Sequence, residues 1–158
     1  MCSTSRSPQP TNLRGRFMPD TLGRCLCGAV SYTVSGSLRP VIFCHCKMCR
    51  RTSGHYVAAT ACMLPQLRIE PSEHLRWYQS SSEAQRGFCG QCGSNLFWKP
   101  TSGAYVSIWA GTLADPTGLS GAEHIFVADK GDYYTLDDGL PQFSHNPPSA
   151  SLAPSSRK

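Results

Sequence analysis

Long apolar segments are missing from this 158-residue sequence. No run approaches the roughly 20 consecutive apolar residues that a membrane-spanning helix needs, and residues 1–19 lack the apolar stretch of a secretory signal. We therefore expect a cytoplasmic protein that does not enter a membrane; the alternative is an organellar transit role for the Arg- and Ser-rich N-terminal stretch. A sustained 3.6-residue apolar period is missing as well, which argues against a helical bundle.

The part of the chain that is expected to fold has no excess of positive or negative charge. The formal net charge is +5, but the excess lies entirely in residues 1–24 and 144–158, and the span Cys25–Phe143 is formally neutral. A nucleic-acid groove requires a basic face. Nucleic acid is therefore not an expected partner.

Composition divides the chain into three parts. Residues 1–22 and 144–158 are rich in Ser and Pro and poor in apolar residues, which predicts disordered tails around a single domain at 23–143. Short segments rich in β-branched and aromatic residues recur in that domain and predict a mainly β fold, with at most one turn of helix after Cys49. The predicted strands are Ala29–Val34, Val41–Phe43, Tyr56–Ala61, Leu75–Tyr78, Leu96–Trp98, Tyr105–Trp109 and Ile125–Val127.

Cysteine is the residue that indicates chemistry. Nine cysteines are present, and seven of them fall in three clusters: Cys25 and Cys27; Cys44, Cys46 and Cys49; Cys89 and Cys92. Two thiolates in a CxxC spacing reach one zinc ion from a single turn, and Gly90 and Gly93 permit such a turn by allowing positive φ. The odd cysteine number argues against a disulfide framework. An iron–sulfur cluster is the alternative metal group.

The number of clustered cysteines indicates two different sites. If the two outer pairs close one tetrahedral site, the central triplet holds a second ion with one corner free. Sealed zinc sites are structural, whereas zinc sites with an open position are catalytic. The alternative is that another side chain fills the free corner; the candidates are Cys62, His45, His55 and His124.

These clusters, within Gly23–Gly28, Cys44–Gly54 and Phe88–Gly93, resemble those of the glutathione-dependent formaldehyde-activating enzymes, also called the CENP-V/GFA domain family. The similarity continues through His124–Pro141. It implies an Mss4-like, mainly β, small zinc-binding fold with a structural zinc on Cys25, Cys27, Cys89 and Cys92 and a catalytic zinc on Cys44, Cys46 and Cys49. It also implies a carbon–sulfur lyase acting on adducts of a thiol such as glutathione with a small electrophile such as an aldehyde.

The neighbours of the triplet supply further candidates. An open zinc can take a substrate thiol as its fourth ligand and stabilise the nucleophilic thiolate. Lys47, Arg50 and Arg51 can offset the charge of the site or pair with a substrate carboxylate, and His55 is a candidate for proton transfer. The alternative function is a non-catalytic zinc-stabilised binding or regulatory module.

Overall fold

The computed structural model describes residues 20–146, so most of the two predicted tails, residues 1–19 and 147–158, lies outside the described residues. The described chain forms ten strands in two sheets, and the prediction of a mainly β fold is confirmed. The strands are β1 (Thr21–Arg24), β2 (Ser31–Val34), β3 (Val41–Cys44), β4 (Val57–Met63), β5 (Leu67–Ile69), β6 (Leu75–Ser81), β7 (Ala84–Cys89), β8 (Asn95–Pro100), β9 (Tyr105–Trp109) and β10 (Gly121–Ile125). Helix α1 (Lys47–Ser53) lies between β3 and β4.

The two sheets differ in size. The smaller has the antiparallel order β1-β2-β5, and the larger has the order β10-β3-β4-β9-β8-β7-β6. Its pairs are antiparallel except for β10, which runs parallel to β3. This single parallel pair brings the late segment of the chain beside the triplet cysteines, because Ile125 lies opposite Cys44.

The core lies between the two sheets. Tyr32 and Val34 of β2, together with Val30 just before it, alternate along the chain and are at most 1% exposed. The Tyr32 ring meets Phe97 of the large sheet edge-on, with ring centroids 5.0 Å apart. Thr33, on the opposite face of β2, is also buried, and β1 and β5 pair with this strand on its two edges.

Three strands and most of the helix were not predicted. β1, β5 and β7 are short or contain Gly and charged residues, and β7 is paired on both edges by β6 and β8, so sheet context outweighs its low propensity.

The prediction of at most one helical turn is wrong. α1 has seven residues because Cys46 caps its N-terminus and Gly54, with φ of 80°, ends it by donating to the Arg50 carbonyl.

The end of the domain also differs from the predicted strands. Ile125 ends β10, and residues 127–129 form a single 3₁₀ turn instead of continuing the strand. The backbone carbonyls of Ser144 and His145 accept hydrogen bonds from Ala128 and Phe126, so the described fold continues past Phe143. None of the described helices has the length and apolar character to cross a bilayer.

Candidate metal centres and the adjoining cavity

The two outer cysteine pairs come together as one four-sulfur group. The Sγ atoms of Cys25, Cys27, Cys89 and Cys92 all lie within 4.8 Å of one another. Cys25 and Cys27 are 3.5 Å apart, and Cys27 and Cys89 are 3.8 Å apart. Sulfurs about 2.3 Å from one zinc at tetrahedral angles lie about 3.8 Å apart, so the donor set fits a tetrahedral ion.

Two glycine turns build this four-cysteine group. One turn follows β1, where the Gly28 amide donates to the Cys25 carbonyl, and the other follows β7, where the Gly93 amide donates to the Cys89 carbonyl. Gly28 and Gly93 have φ of 80° and 76°. The expectation of positive φ is not met at Gly90. Because β1 and β7 belong to different sheets, the group ties the two sheets together.

Hydrogen bonds to sulfur favour the thiolate form of two members of the four-cysteine group, Cys25 and Cys92. The Val30 amide donates to the Cys25 Sγ at 3.2 Å. Ser94 Oγ lies 3.2 Å from the Cys92 Sγ and accepts from the Leu26 amide of the opposite turn. The contact with Ser94 lowers the pKa of the Cys92 thiol to about 5.

The triplet forms a second group at the junction of β3 and α1. Cys44 ends β3, Cys46 is the N-cap of α1 and Cys49 lies in its first turn, with all three sulfurs within 4.8 Å of one another. The Cys49 amide donates to the Cys46 Sγ at 3.4 Å. Hydrogen bonds from Cys44 and Cys49 lower the pKa of the Cys46 thiol, and the same crowding raises that of Cys44. Such a group needs a cation to hold all three sulfurs as thiolates.

No fourth ligand completes the triplet among the described residues. The group contains no other His, Cys, Asp or Glu. Cys62, one predicted candidate, lies fully buried in the core, and burial raises its pKa to about 12. The three cysteines therefore leave one tetrahedral position free on any ion that they hold.

The buried histidines proposed for the free corner are engaged with each other. His45 Nε2 lies 2.8 Å from His124 Nδ1, and His45 Nδ1 lies 2.6 Å from the Tyr134 hydroxyl. His124 Nε2 in turn lies 2.9 Å from Asp138 Oδ2, a contact that lowers the pKa of the Asp138 carboxyl. All four ring nitrogens have partners, so these rings form a buried polar chain beside the site.

The remaining predicted candidates lie around α1. His55 packs in an aromatic cluster, 4.2 Å from Tyr56 and 4.5 Å from Tyr134 between ring centroids. Lys47 pairs with Asp129 at 3.6 Å, and Arg51 is exposed. Roles for His55 and Arg51 stay predictions.

A cavity of about 330 Å³ adjoins the triplet, and all three cysteines contribute to its wall. Most of the other wall residues are apolar. They include Ile42, Met48, Val57, Trp98, Trp109 and Phe126. Phe97 is fully buried in the core, whereas Trp98 and Trp109 border the cavity.

Arg86 is one of several polar residues in the cavity wall, and sequence reasoning missed it. It lies on β7, is 4% exposed and donates from Nη2 to the Cys49 Sγ at 3.7 Å. Its Nε and Nη1 have no hydrogen-bond partner among the described residues, and the same holds for Nε1 of Trp109, whose ring lies 5.9 Å from the guanidinium carbon. No sequence signal distinguishes Arg86 from exposed arginines such as Arg68.

The fold and the two cysteine groups define a class of small, mainly β proteins that can hold metal through thiolates at one sealed and one open position. The sequence profile of the glutathione-dependent formaldehyde-activating enzymes matches residues 20–129. The chain belongs to this family. The prediction of a lyase-type enzyme is confirmed at the level of the family.

Two relatives agree with this assignment in their names. A Schizosaccharomyces pombe protein named as an uncharacterized lyase is 31% identical over 131 residues, covering 80% of this chain and 93% of that protein. A Halomonas elongata protein provisionally named glutathione-dependent formaldehyde-activating enzyme is 34% identical over 83 residues, covering 48% of this chain and 53% of that protein. A solved Rhodobacter sphaeroides structure is similar with a TM-score of 0.49 and 23% identity, covering 77% of this chain and 98% of that one.

Proposed function

We propose that this protein is a zinc-dependent carbon–sulfur lyase that acts on adducts between a thiol of the glutathione type and a carbonyl electrophile such as an aldehyde. The observation that carries the proposal is the triplet itself. Cys44, Cys46 and Cys49 gather three sulfurs, have no fourth ligand among the described residues and border a cavity. The names of the family and of its relatives supply the reaction class.

The two groups take different roles in this proposal. The four-cysteine group is complete and joins the two sheets, which suits a structural zinc. The triplet is incomplete and borders the cavity, which suits a catalytic zinc. When bound at the triplet, zinc supplies a Lewis acid and a free coordination position at which a substrate thiol can ionise.

The residues of the chain prepare this site in three ways. The cysteines fix the position of the ion, while the buried guanidinium of Arg86, 3.7 Å from the Cys49 sulfur, offsets the net negative charge of three thiolates around a divalent cation. The apolar cavity wall reduces the water that competes with the thiol for the carbonyl carbon. Lys47 and Arg51, exposed on α1, are candidates to meet the carboxylates of glutathione at the outer edge.

The reaction balances without a redox partner. In the forward direction a bond forms between the thiol sulfur and the carbonyl carbon, the carbon–oxygen π bond breaks and the thiol proton ends on the carbonyl oxygen. The reverse direction breaks the carbon–sulfur bond and returns the proton to sulfur. Because both zinc sites need reduced cysteines, we place the protein in a reducing compartment, the cytoplasm.

The test is metal analysis combined with activity on three serine variants, all purified without oxygen. We expect the wild-type protein to bind a metal ion at each group and to accelerate exchange between free aldehyde and its glutathione adduct, measured by exchange NMR. Cys46→Ser should lose one metal ion and the activity but remain folded. Cys92→Ser should unfold the domain, and the control Cys62→Ser should retain both ions.

Two outcomes would contradict the proposal. If Cys46→Ser loses both ions and unfolds, the division into structural and catalytic sites is wrong. If a fully loaded wild-type protein does not accelerate the exchange with any aldehyde, the protein is not a lyase of this kind, and the alternative of a zinc-stabilised binding module would replace it.

A further inference from the structure

The cavity beside the triplet is much larger than the smallest aldehyde requires. Its volume of about 330 Å³ lies within the range of about 300–1,000 Å³ that is typical of ligand pockets. Formaldehyde has one carbon and one oxygen, a size close to that of water, which occupies about 30 Å³ in the liquid. A site for that molecule alone would not need a space of this size.

The wall of the cavity also has the wrong chemistry for a purely polar occupant. Trp98 on β8 and Trp109 at the end of β9 contribute aromatic surface, and Met48 on α1 contributes a flexible thioether. Aromatic and thioether groups favour an apolar partner. The carboxylates and peptide groups of glutathione do not match this aromatic part of the wall, although the wall also includes polar side chains, Arg39, Ser107 and Asn146 among them. The thiol of glutathione alone needs to reach the triplet.

One part of the wall carries buried donors that have no acceptor among the described residues. Arg86 is paired with Trp98 across β7 and β8 and lies beside the Trp109 ring. Two guanidinium nitrogens of Arg86 and the indole nitrogen of Trp109 have no acceptor among the described residues. Buried donors of this kind are normally satisfied. An oxygen of a bound ligand, next to Cys49, would supply the missing acceptor.

We propose that the electrophile of this site is a carbonyl compound with a bulky apolar substituent, bound in the Trp98–Trp109 cavity with its oxygen toward Arg86. This inference rests on the proposed lyase function and specifies its substrate class. The thiol component meets the triplet from the outer side, and the apolar substituent of the aldehyde fills the cavity. Formaldehyde is then a poor substrate, because it leaves the apolar wall without a partner.

The experiment compares formaldehyde, butanal and benzaldehyde with the metal-loaded full chain and glutathione, measuring the enzymatic contribution to adduct exchange by NMR. We expect kcat/KM for benzaldehyde to exceed that for formaldehyde by at least about tenfold, the scale of discrimination that apolar pockets provide. In parallel, calorimetry should show tighter binding of the unreactive thioether S-benzylglutathione than of S-methylglutathione.

Two tryptophan variants supply matched controls. Trp98→Ala removes a wall of the cavity and should reduce kcat/KM for benzaldehyde about tenfold while changing that for formaldehyde much less. Trp77→Ala removes a partly exposed tryptophan that lies outside the cavity wall and should leave the ratio of the two substrates unchanged. Metal content and circular dichroism verify that both variants are loaded and folded.

The possible outcomes distinguish a failure of the apolar substrate class from a failure of the lyase function. If formaldehyde is accelerated as well as benzaldehyde, or if Trp98→Ala lowers both rates equally, the apolar substrate class is refuted while the lyase function stands. If none of the aldehydes is accelerated, the lyase function fails and this inference fails with it. Equal binding of the two thioethers would also overturn the assignment of the cavity.

Discussion

Replacing Arg86 by Met should weaken metal binding at the triplet without affecting the four-cysteine group. The guanidinium lies 3.7 Å from the Cys49 sulfur and is almost fully buried, and none of the described carboxylates forms an ion pair with it. Its most direct polar partner is therefore the sulfur group of the triplet. Methionine retains much of the side-chain volume and removes only the charge and its donors.

The expected size of the effect follows from the geometry. Two unit charges about 4 Å apart interact by about 4 kcal/mol at an effective dielectric constant of 20. Removing the guanidinium also removes the cost of burying it, so the net loss is smaller. We expect metal affinity at the triplet to fall about 10- to 100-fold, as is typical when a residue that supports the ligands is lost. Arg86→Lys, which retains the charge, should recover part of this loss.

Competition with a chelator of known affinity measures this effect. A metal ion at the four-cysteine group, which we expect to be released slowly, serves as an internal reference. The matched control is Arg68→Met, at an arginine that is exposed on β5. Cobalt substitution adds ligand-field bands that report the coordination of the metal by the cysteines directly. A folded Arg86→Met protein with unchanged affinity and unchanged cobalt bands would refute the role of Arg86 as the counter-charge.

Three further predictions concern packing and pH. Cys62→Ser places a hydroxyl in the core and should lower the free energy of unfolding, measured by urea denaturation, by about 1–3 kcal/mol. Native Cys62 should resist alkylation at pH 8, since burial raises its pKa to about 12. Rapid labelling of this thiol would contradict its burial. Gly23→Ala places a Cβ 2.1 Å from the Tyr32 ring and should cost about 1–3 kcal/mol, so unchanged stability would refute that close approach. The contact with His124 lowers the pKa of Asp138 in the folded protein below its ordinary value of 3.8. The ionised carboxylate therefore stabilises the folded protein above that pH, and this contribution is lost as the pH falls through the pKa of the folded state. The difference in urea midpoint between wild type and Asp138→Asn should accordingly shrink below about pH 4, and a constant difference would argue against this linkage.

The strands that sequence analysis predicted are those whose side chains pack on a pleated, half-buried surface. Tyr105–Trp109 was predicted with the observed bounds, because β-branched and aromatic residues dominate it. β7 was missed because its residues Gln85, Arg86 and Gly87 do not favour a strand by themselves. Its pairing with two neighbouring strands supplies the missing stabilisation.

Local sequence spacing predicts which cysteines lie together but not what completes each group. The CxxC and CxC spacings are local, and glycine turns bring such closely spaced thiols together whatever the rest of the chain does. The sequence therefore determined the membership of each cluster, and the number of cysteines indicated one complete and one incomplete group. It left open whether a histidine completes the triplet.

Only the tertiary structure decided what surrounds the triplet. His45 and His124, separated by 79 residues, meet because β10 pairs in parallel with β3, and their mutual hydrogen bond makes neither of them the fourth ligand. Arg86 reaches Cys49 because β7 is an interior strand of the same large sheet. Strand order and register depend on packing summed over the whole core. The free ligand position of the triplet, the buried guanidinium of Arg86 and the apolar cavity are therefore properties of the fold and not of any local motif.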